Sequence, residues 1–183
     1  MRQDELAPIV TAFSRRIKNS WQIIFLAAVV PYALSLLHYF YYRPGLRIGV
    51  LPYLKAIDLT SFVIAFGLAL LILALKRKYF SPKFSRAMVE DALRKNPESS
   101  VETLLSGILN ILRRKMTLVW VLGWLMVLDG VIFYWLTFSE RSNMHMYFVV
   151  GAFSLFMNYP RRDLFSDLPG YVREGKREFG EGQ

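Results

Sequence analysis

Four apolar stretches separated by basic segments constrain this chain more than any other feature. They occupy about 21–42, 57–75, 117–138 and 144–160. A helix needs about 20 apolar residues, with roughly 17–25 as the working range, to cross ~30 Å of hydrocarbon. The first three stretches qualify on length, and the fourth is thin yet workable. Backbone groups in lipid must pair within the protein, so helices rather than open strands are expected. An apolar content of 54% and an aromatic content of 15% agree with that reading. The fold class expected is therefore all-α: a polytopic membrane protein with four transmembrane helices and amphipathic helices on its cytoplasmic face.

Orientation follows from where Lys and Arg fall. Four precede the first span, ten lie in the loop 76–116, and five follow the fourth span. The two remaining connections hold Arg43, Arg47 and Lys55, and Arg141. Nineteen basic residues thus sort to one side and four to the other, which predicts an even number of spans with both termini cytoplasmic. The net charge of +9 is accounted for by these clusters, and no RNA- or DNA-reading motif accompanies them. Asp4 and Glu5, together with a first apolar run of about 20 residues, do not fit a removable signal peptide, so none is expected. Aromatic residues mark the expected interfaces, Trp21 and Tyr159 inside and Tyr39, Tyr41, Tyr42, Tyr134, Trp135 and Tyr147 outside. Trp120 and Trp124 lie deeper and are expected to pack.

Three parts follow: a cytoplasmic amphipathic segment 1–20, a membrane domain 21–160 and a cytoplasmic tail 161–183. In the first, Leu6, Ile9, Val10, Phe13 and Ile17 recur at helical spacing with Arg15, Arg16 and Lys18 off the stripe. That helix either lies on the inner leaflet or packs on the protein's own cytoplasmic ends. Ser81-Pro82 reads as an N-cap and first-turn proline, opening a helix that ends at Asn96-Pro97 with Phe84, Met88 and Ala92 on one side. Ser99-Ser100-Val101-Glu102 has the form of a capping box. The helix it starts carries Leu104, Leu105, Ile108, Ile111 and Leu112 and either continues into the third span or bends at Gly107. The Gly-rich, charged tail beyond Pro169 is expected to be loose.

Asp129 is the most informative single residue. It is the thirteenth residue of the third span, about 18 Å from the inner end at 1.5 Å per residue. An ionised carboxylate there is costly, so it should face protein or trapped water. No Lys or Arg lies within a span, which leaves hydroxyl partners at matching depth: Ser35 or Tyr32 on the first helix, Thr60 or Ser61 on the second. Asp129 with Ser35 and Ser61 is accordingly the candidate intramembrane polar set, either a coupling site for protons or cations or a bond between helices. Lys76, Arg77, Lys78, Arg113, Arg114 and Lys115 are candidates for contact with anionic headgroups.

The two histidines, His38 and His145, fall on the same face by topology and could in principle ligate a heme between helices. With no supporting spacing, ordinary interfacial hydrogen bonds are the expectation, and no cofactor or metal is assigned. There is no cysteine, which removes thiolate chemistry. Asp129-Gly130 occurs also in enzymes that transfer phosphoalcohols between lipids, but those need further aspartates that this chain lacks. No phosphate loop, zincin motif or nucleophile elbow occurs, so no enzymatic activity is expected.

The stretch from about Thr103 to Leu164 resembles a group of small bacterial membrane proteins with four predicted helices. The shared features are an acidic residue inside the third helix (Asp129), an aromatic-rich remainder ending near a threonine (Tyr134-Trp135-Leu136-Thr137), a short outer loop, and a fourth helix closing on Tyr159-Pro160-Arg161. That resemblance implies a bacterial inner membrane and no activity. The leading expectation for function is a non-catalytic accessory subunit or assembly factor in contact with membrane lipids, with a protein partner or copies of itself. The alternative is a small oligomeric transporter or channel that uses Asp129.

Overall fold

The computed structural model describes residues 6–42, 52–79, 82–97, 99–138, 141–161, 165 and 167–181. The Ser81 cap, Asp4, Glu5, Arg2, Arg43, Arg47 and Arg162 lie outside the described residues. Six helices occur among those described: α1 Ala7–Tyr42, α2 Leu54–Tyr79, α3 Pro82–Lys95, α4 Val101–Thr137, α5 Arg141–Met157 and α6 Leu168–Glu181. No strand is present among them. α1, α2 and α4 are long and apolar enough to cross a membrane, and α5 carries a shorter apolar segment, Asn143–Met157. The chain is thus all-helical and of multi-pass membrane type.

Two compact units divide it. One comprises Met1–Trp21, Leu75–Thr117 and Tyr159–Gln183; the other comprises Gln22–Ala74 and Leu118–Asn158.

The first unit has a water-type core. Leu6 just before α1, with Val10 and Ile17 of α1, is buried in it, as are Val89 and Leu93 of α3, Leu105, Ile108 and Leu112 of α4, and Phe165, Leu168 and Val172. Each such side chain contributes about 1.5–3 kcal/mol when fully withdrawn from water. The N-terminal stripe is therefore packed on the protein itself: Phe13 meets Phe165 edge-on at 5.3 Å. The loose tail expected beyond Pro169 is instead the helix α6. Its apolar positions, Leu168 and Val172, are buried, Lys176 Nζ donates to the Ser99 carbonyl at 2.7 Å, and Arg86 stacks over Tyr171 at 5.0 Å. Composition pointed to disorder because the segment is rich in Gly and charge.

In α4 one expectation is corrected, and of the two alternatives at Gly107 the continuous one is found. The cap of α4 is Ser100 rather than Ser99, since the Ser100 Oγ accepts the Thr103 N–H at 3.2 Å. Ser99 belongs to the preceding turn, where its N–H bonds the Asn96 carbonyl at 3.3 Å. α4 also runs without interruption past Gly107, and its buried stripe substitutes Leu109 for the exposed Ile111.

The second unit is organised on the apolar part of α4. An 18-residue apolar window of α4 is 56% buried, against 11% in α1 and 17% in α2, so α4 is the helix that the others pack against. α5 lies antiparallel to it at backbone contact. A Cβ added at Gly130 would stand 2.8 Å from the Tyr147 Cβ, and one added at Gly151 would stand 2.8 Å from the Gly123 carbonyl oxygen and 2.7 Å from a Val127 methyl. Helices in lipid gain little by burying apolar surface, so close approach through small residues supplies the attraction. Gly67, by contrast, has nothing within 4 Å of where its Cβ would lie and joins no such contact.

Proline explains how α1 is attached. Pro31 sits inside α1 and has no N–H, which leaves the Ala27 carbonyl without its helical partner. The Trp124 indole N–H of α4 donates to that carbonyl at 3.1 Å. Trp135 donates to the Ser35 Oγ at 2.8 Å, and Ser35 donates to the Pro31 carbonyl at 2.8 Å. Trp120 donates to the Asn158 carbonyl just past α5, at 2.8 Å. Positions 120, 124 and 135 fall within about 60° of one another at 100° per residue.

Candidate functional site

The polar groups of the second unit form two sets. The first surrounds Asp129. Ser61 of α2 donates to the Asp129 Oδ1 at 3.1 Å, while Oδ2 is buried without a hydrogen-bond partner. Asp58, one turn before Ser61, accepts the Asn143 Nδ2–H of α5 at 2.8 Å. Tyr147, one turn after Asn143, lies against the α4 backbone at Gly130, the residue after Asp129. The spacing places these groups together: 58 and 61 share a face of α2, and 143 and 147 share a face of α5. Gly130 lets Tyr147 approach the α4 backbone beside Asp129.

Of the sequence candidates, Asp129 and Ser61 are therefore brought together. Ser35 is not with them, being held between Pro31 and Trp135. Asp58, Asn143 and Tyr147 were not singled out as polar partners from sequence. Their signals were present in Asp58-x-x-Ser61 and Asn143-x-x-x-Tyr147, but Asp58 reads as a span terminus and Tyr147 as a belt residue.

The second set is aromatic. His38 Nδ1 and Tyr134 Oη share a hydrogen bond at 2.9 Å, and Tyr32 Oη and His145 Nδ1 share one at 2.7 Å. Around His38 stand the rings of Tyr42, Tyr134, Trp135 and Phe138 at 4.6–6.1 Å. Each histidine is thus engaged by a tyrosine rather than by the other histidine. On α1, Tyr32 and His38 are separated by about 9 Å of helical rise, whereas bis-histidine ligation needs both nitrogens on one iron. No group of three or more His, Asp or Glu side chains suited to a metal occurs among the described residues. Phe138 ends α4 in the left-handed region at φ 46, its N–H bonding the Tyr134 carbonyl at 2.7 Å. Glycine usually fills such a cap, and here the rings around His38 hold a phenylalanine in it.

In the first unit the basic candidates on α2 and α4 converge. Lys78 Nζ and Lys115 Nζ lie over the Tyr79 ring at 5.5 and 4.6 Å. Arg113 and Arg114, with Asn110 and Thr117, line a cleft of about 510 Å³.

Chemically, the Asp129 set offers a carboxylate with one oxygen bonded to the Ser61 hydroxyl and one bare. No family model, curated protein or solved structure matches the chain.

Proposed function

We propose that the chain crosses a bacterial inner membrane four times, with both termini and residues 76–116 in the cytoplasm, and serves as a non-catalytic accessory subunit or assembly factor of a larger membrane complex. One observation carries this reading. Polar side chains of the second unit join helices: the indoles of Trp120, Trp124 and Trp135, the Tyr32–His145 and His38–Tyr134 pairs, and Ser61 on Asp129, with Asp129 Oδ2 and Ser154 Oγ left over. Groups consumed in this way hold a scaffold together and leave little to line a substrate path. α1 and α2 meanwhile keep broad apolar faces, such as Leu59, Val63, Phe66 and Leu70, which suit lipid or a neighbouring helix. The fourth span is supported by the register of α5. It follows α4 from Gly130 opposite Tyr147 to Trp120 opposite Asn158, at the depth of the third span.

Chemical cross-linking in native membranes, followed by purification in mild detergent, tests the reading. A partner at fixed stoichiometry is expected. A chain that purifies as a monomer and by itself drives proton or cation flux in liposomes overturns it.

A specific observation favours the coupling alternative enough to keep it in view: the Asp129 Oδ2 is buried and bare, on a carboxylate held by Ser61 of α2. On that reading Asp129→Asn abolishes flux in liposomes while the protein keeps its fold. On the scaffold reading there is no flux to abolish.

A further inference from the structure

We propose that the face of α4 formed by Asn110, Arg113, Arg114 and Thr117 is a binding site for the phosphate of an anionic phospholipid. These positions follow one another at i, i+3, i+4 and i+7, so they form a single stripe on the helix. They line a cleft of about 510 Å³, within the roughly 300–1,000 Å³ typical of small-ligand sites. Its chemistry matches a phosphodiester. Two guanidiniums offer paired N–H donors to anionic oxygens, and the Asn110 amide and Thr117 hydroxyl add neutral donors. No acidic residue occurs between 59 and 89 or between 103 and 128, so the sequence supplies neither α2's basic end nor this face with a local counter-charge. Among the described residues, no carboxylate forms an ion pair with Arg113 or Arg114.

Position selects lipid over a soluble phosphate. Thr117 opens the apolar run of α4, so the cleft stands where hydrocarbon would give way to headgroups. Lys115, on the next residue, and Lys78 meet over Tyr79 and bring further positive charge to the same level. The inference rests on the membrane-spanning reading, though not on the number of spans or on any partner.

Detergent-purified full-length protein is titrated with phosphatidylglycerol, with phosphatidylcholine and with inorganic phosphate, and thermal unfolding is followed by circular dichroism. Phosphatidylglycerol alone should raise Tm. Arg113→Gln/Arg114→Gln should weaken its apparent affinity about 30-fold, from roughly fivefold per basic side chain at an anionic surface. The exposed Arg114→Gln alone should weaken it about fivefold and serves if the double variant fails to fold. Arg161→Gln, beyond the fourth apolar run, should leave the affinity unchanged. Equal stabilisation by phosphatidylcholine or inorganic phosphate, or an unaltered phosphatidylglycerol response in Arg114→Gln, overturns the site. Because the protein needs detergent in every arm, such a failure leaves the membrane reading standing; solubility without detergent would remove that reading instead.

Discussion

The Trp124 indole and Pro31 should be energetically coupled although they lie on different helices, and the coupling has a predictable size. Pro31 leaves the Ala27 carbonyl without an i+4 donor, and Trp124 Nε1 replaces that donor at 3.1 Å. Trp124→Phe keeps most of the ring and removes the donor. A carbonyl surrounded by lipid finds no water, so it stays unpaired. Leaving a buried acceptor unmet costs about 1–3 kcal/mol, and measured bonds between membrane helices run from ~0.6 to ~1.7 kcal/mol. A loss of about 1–1.5 kcal/mol is therefore expected. In Pro31→Ala the new backbone N–H reaches the Ala27 carbonyl within α1, and Trp124→Phe should then cost no more than ~0.5 kcal/mol. The coupling is thus about 1 kcal/mol, well above the few tenths by which independent sites depart from additivity. Unfolding by increasing mole fractions of SDS, read by circular dichroism for the four proteins of the cycle, measures it. Equal costs in both backgrounds would refute the argument. They would mean either that the bond is absent or that water reaches the carbonyl, and so that this part of α1 is not in lipid.

Other substitutions separate backbone contact from side-chain contact. Gly151→Ala should destabilise by about 1–3 kcal/mol, because its Cβ meets the Gly123 carbonyl at 2.8 Å and backbone cannot step aside; the same unfolding assay reads it. Gly175→Ala should be close to neutral, since the atom 2.6 Å away is the flexible end of Leu93 and alanine favours the helix by ~1 kcal/mol. Lys176→Ala removes the cation from the Ser99 carbonyl and should raise proteolysis within residues 168–181 while costing about 0.5–1.5 kcal/mol of stability. The chain has no cysteine, so single cysteines at Arg43 and Lys95 report topology: an impermeant maleimide should label position 43 from the periplasm and reach position 95 only after lysis.

Legibility from sequence differed with the kind of contact. The apolar runs identify α1, α2 and α4 because length and hydropathy are properties of a segment alone. The N-terminal stripe was legible as a helix, yet its partner was not, since a side chain such as Phe13 buries equally well in lipid or against Phe165. α6 escaped notice because a 14-residue helix with glycines at 170, 175 and 180 has little helical preference of its own and depends on docking. At the candidate site, Asp129 stands out by the cost of its charge, whereas Asp58 sits at a helix end where charge is cheap. Pairing it with Asn143 required knowing that α5 returns beside α2.

The tryptophans follow a similar logic. Indoles in a membrane sequence read as interface markers or as packing, and Trp120 and Trp124, read as packing residues, are buried and half-buried while Trp135 stays exposed. What the sequence does not reveal is that each indole N–H must also find an acceptor in a medium without water. On α4 the acceptors are a carbonyl exposed by Pro31, a serine one turn further along that same helix, and the Asn158 carbonyl just beyond α5. A proline that would weaken an isolated helix thereby creates an acceptor that fixes where α1 lies on α4. Without a hydrophobic difference between lipid and neighbouring helix, such directional bonds are what can set register. This explains why α1 can keep its position with only a small part of its apolar window buried. It also explains why the polar side chains of this unit serve attachment before they can serve transport.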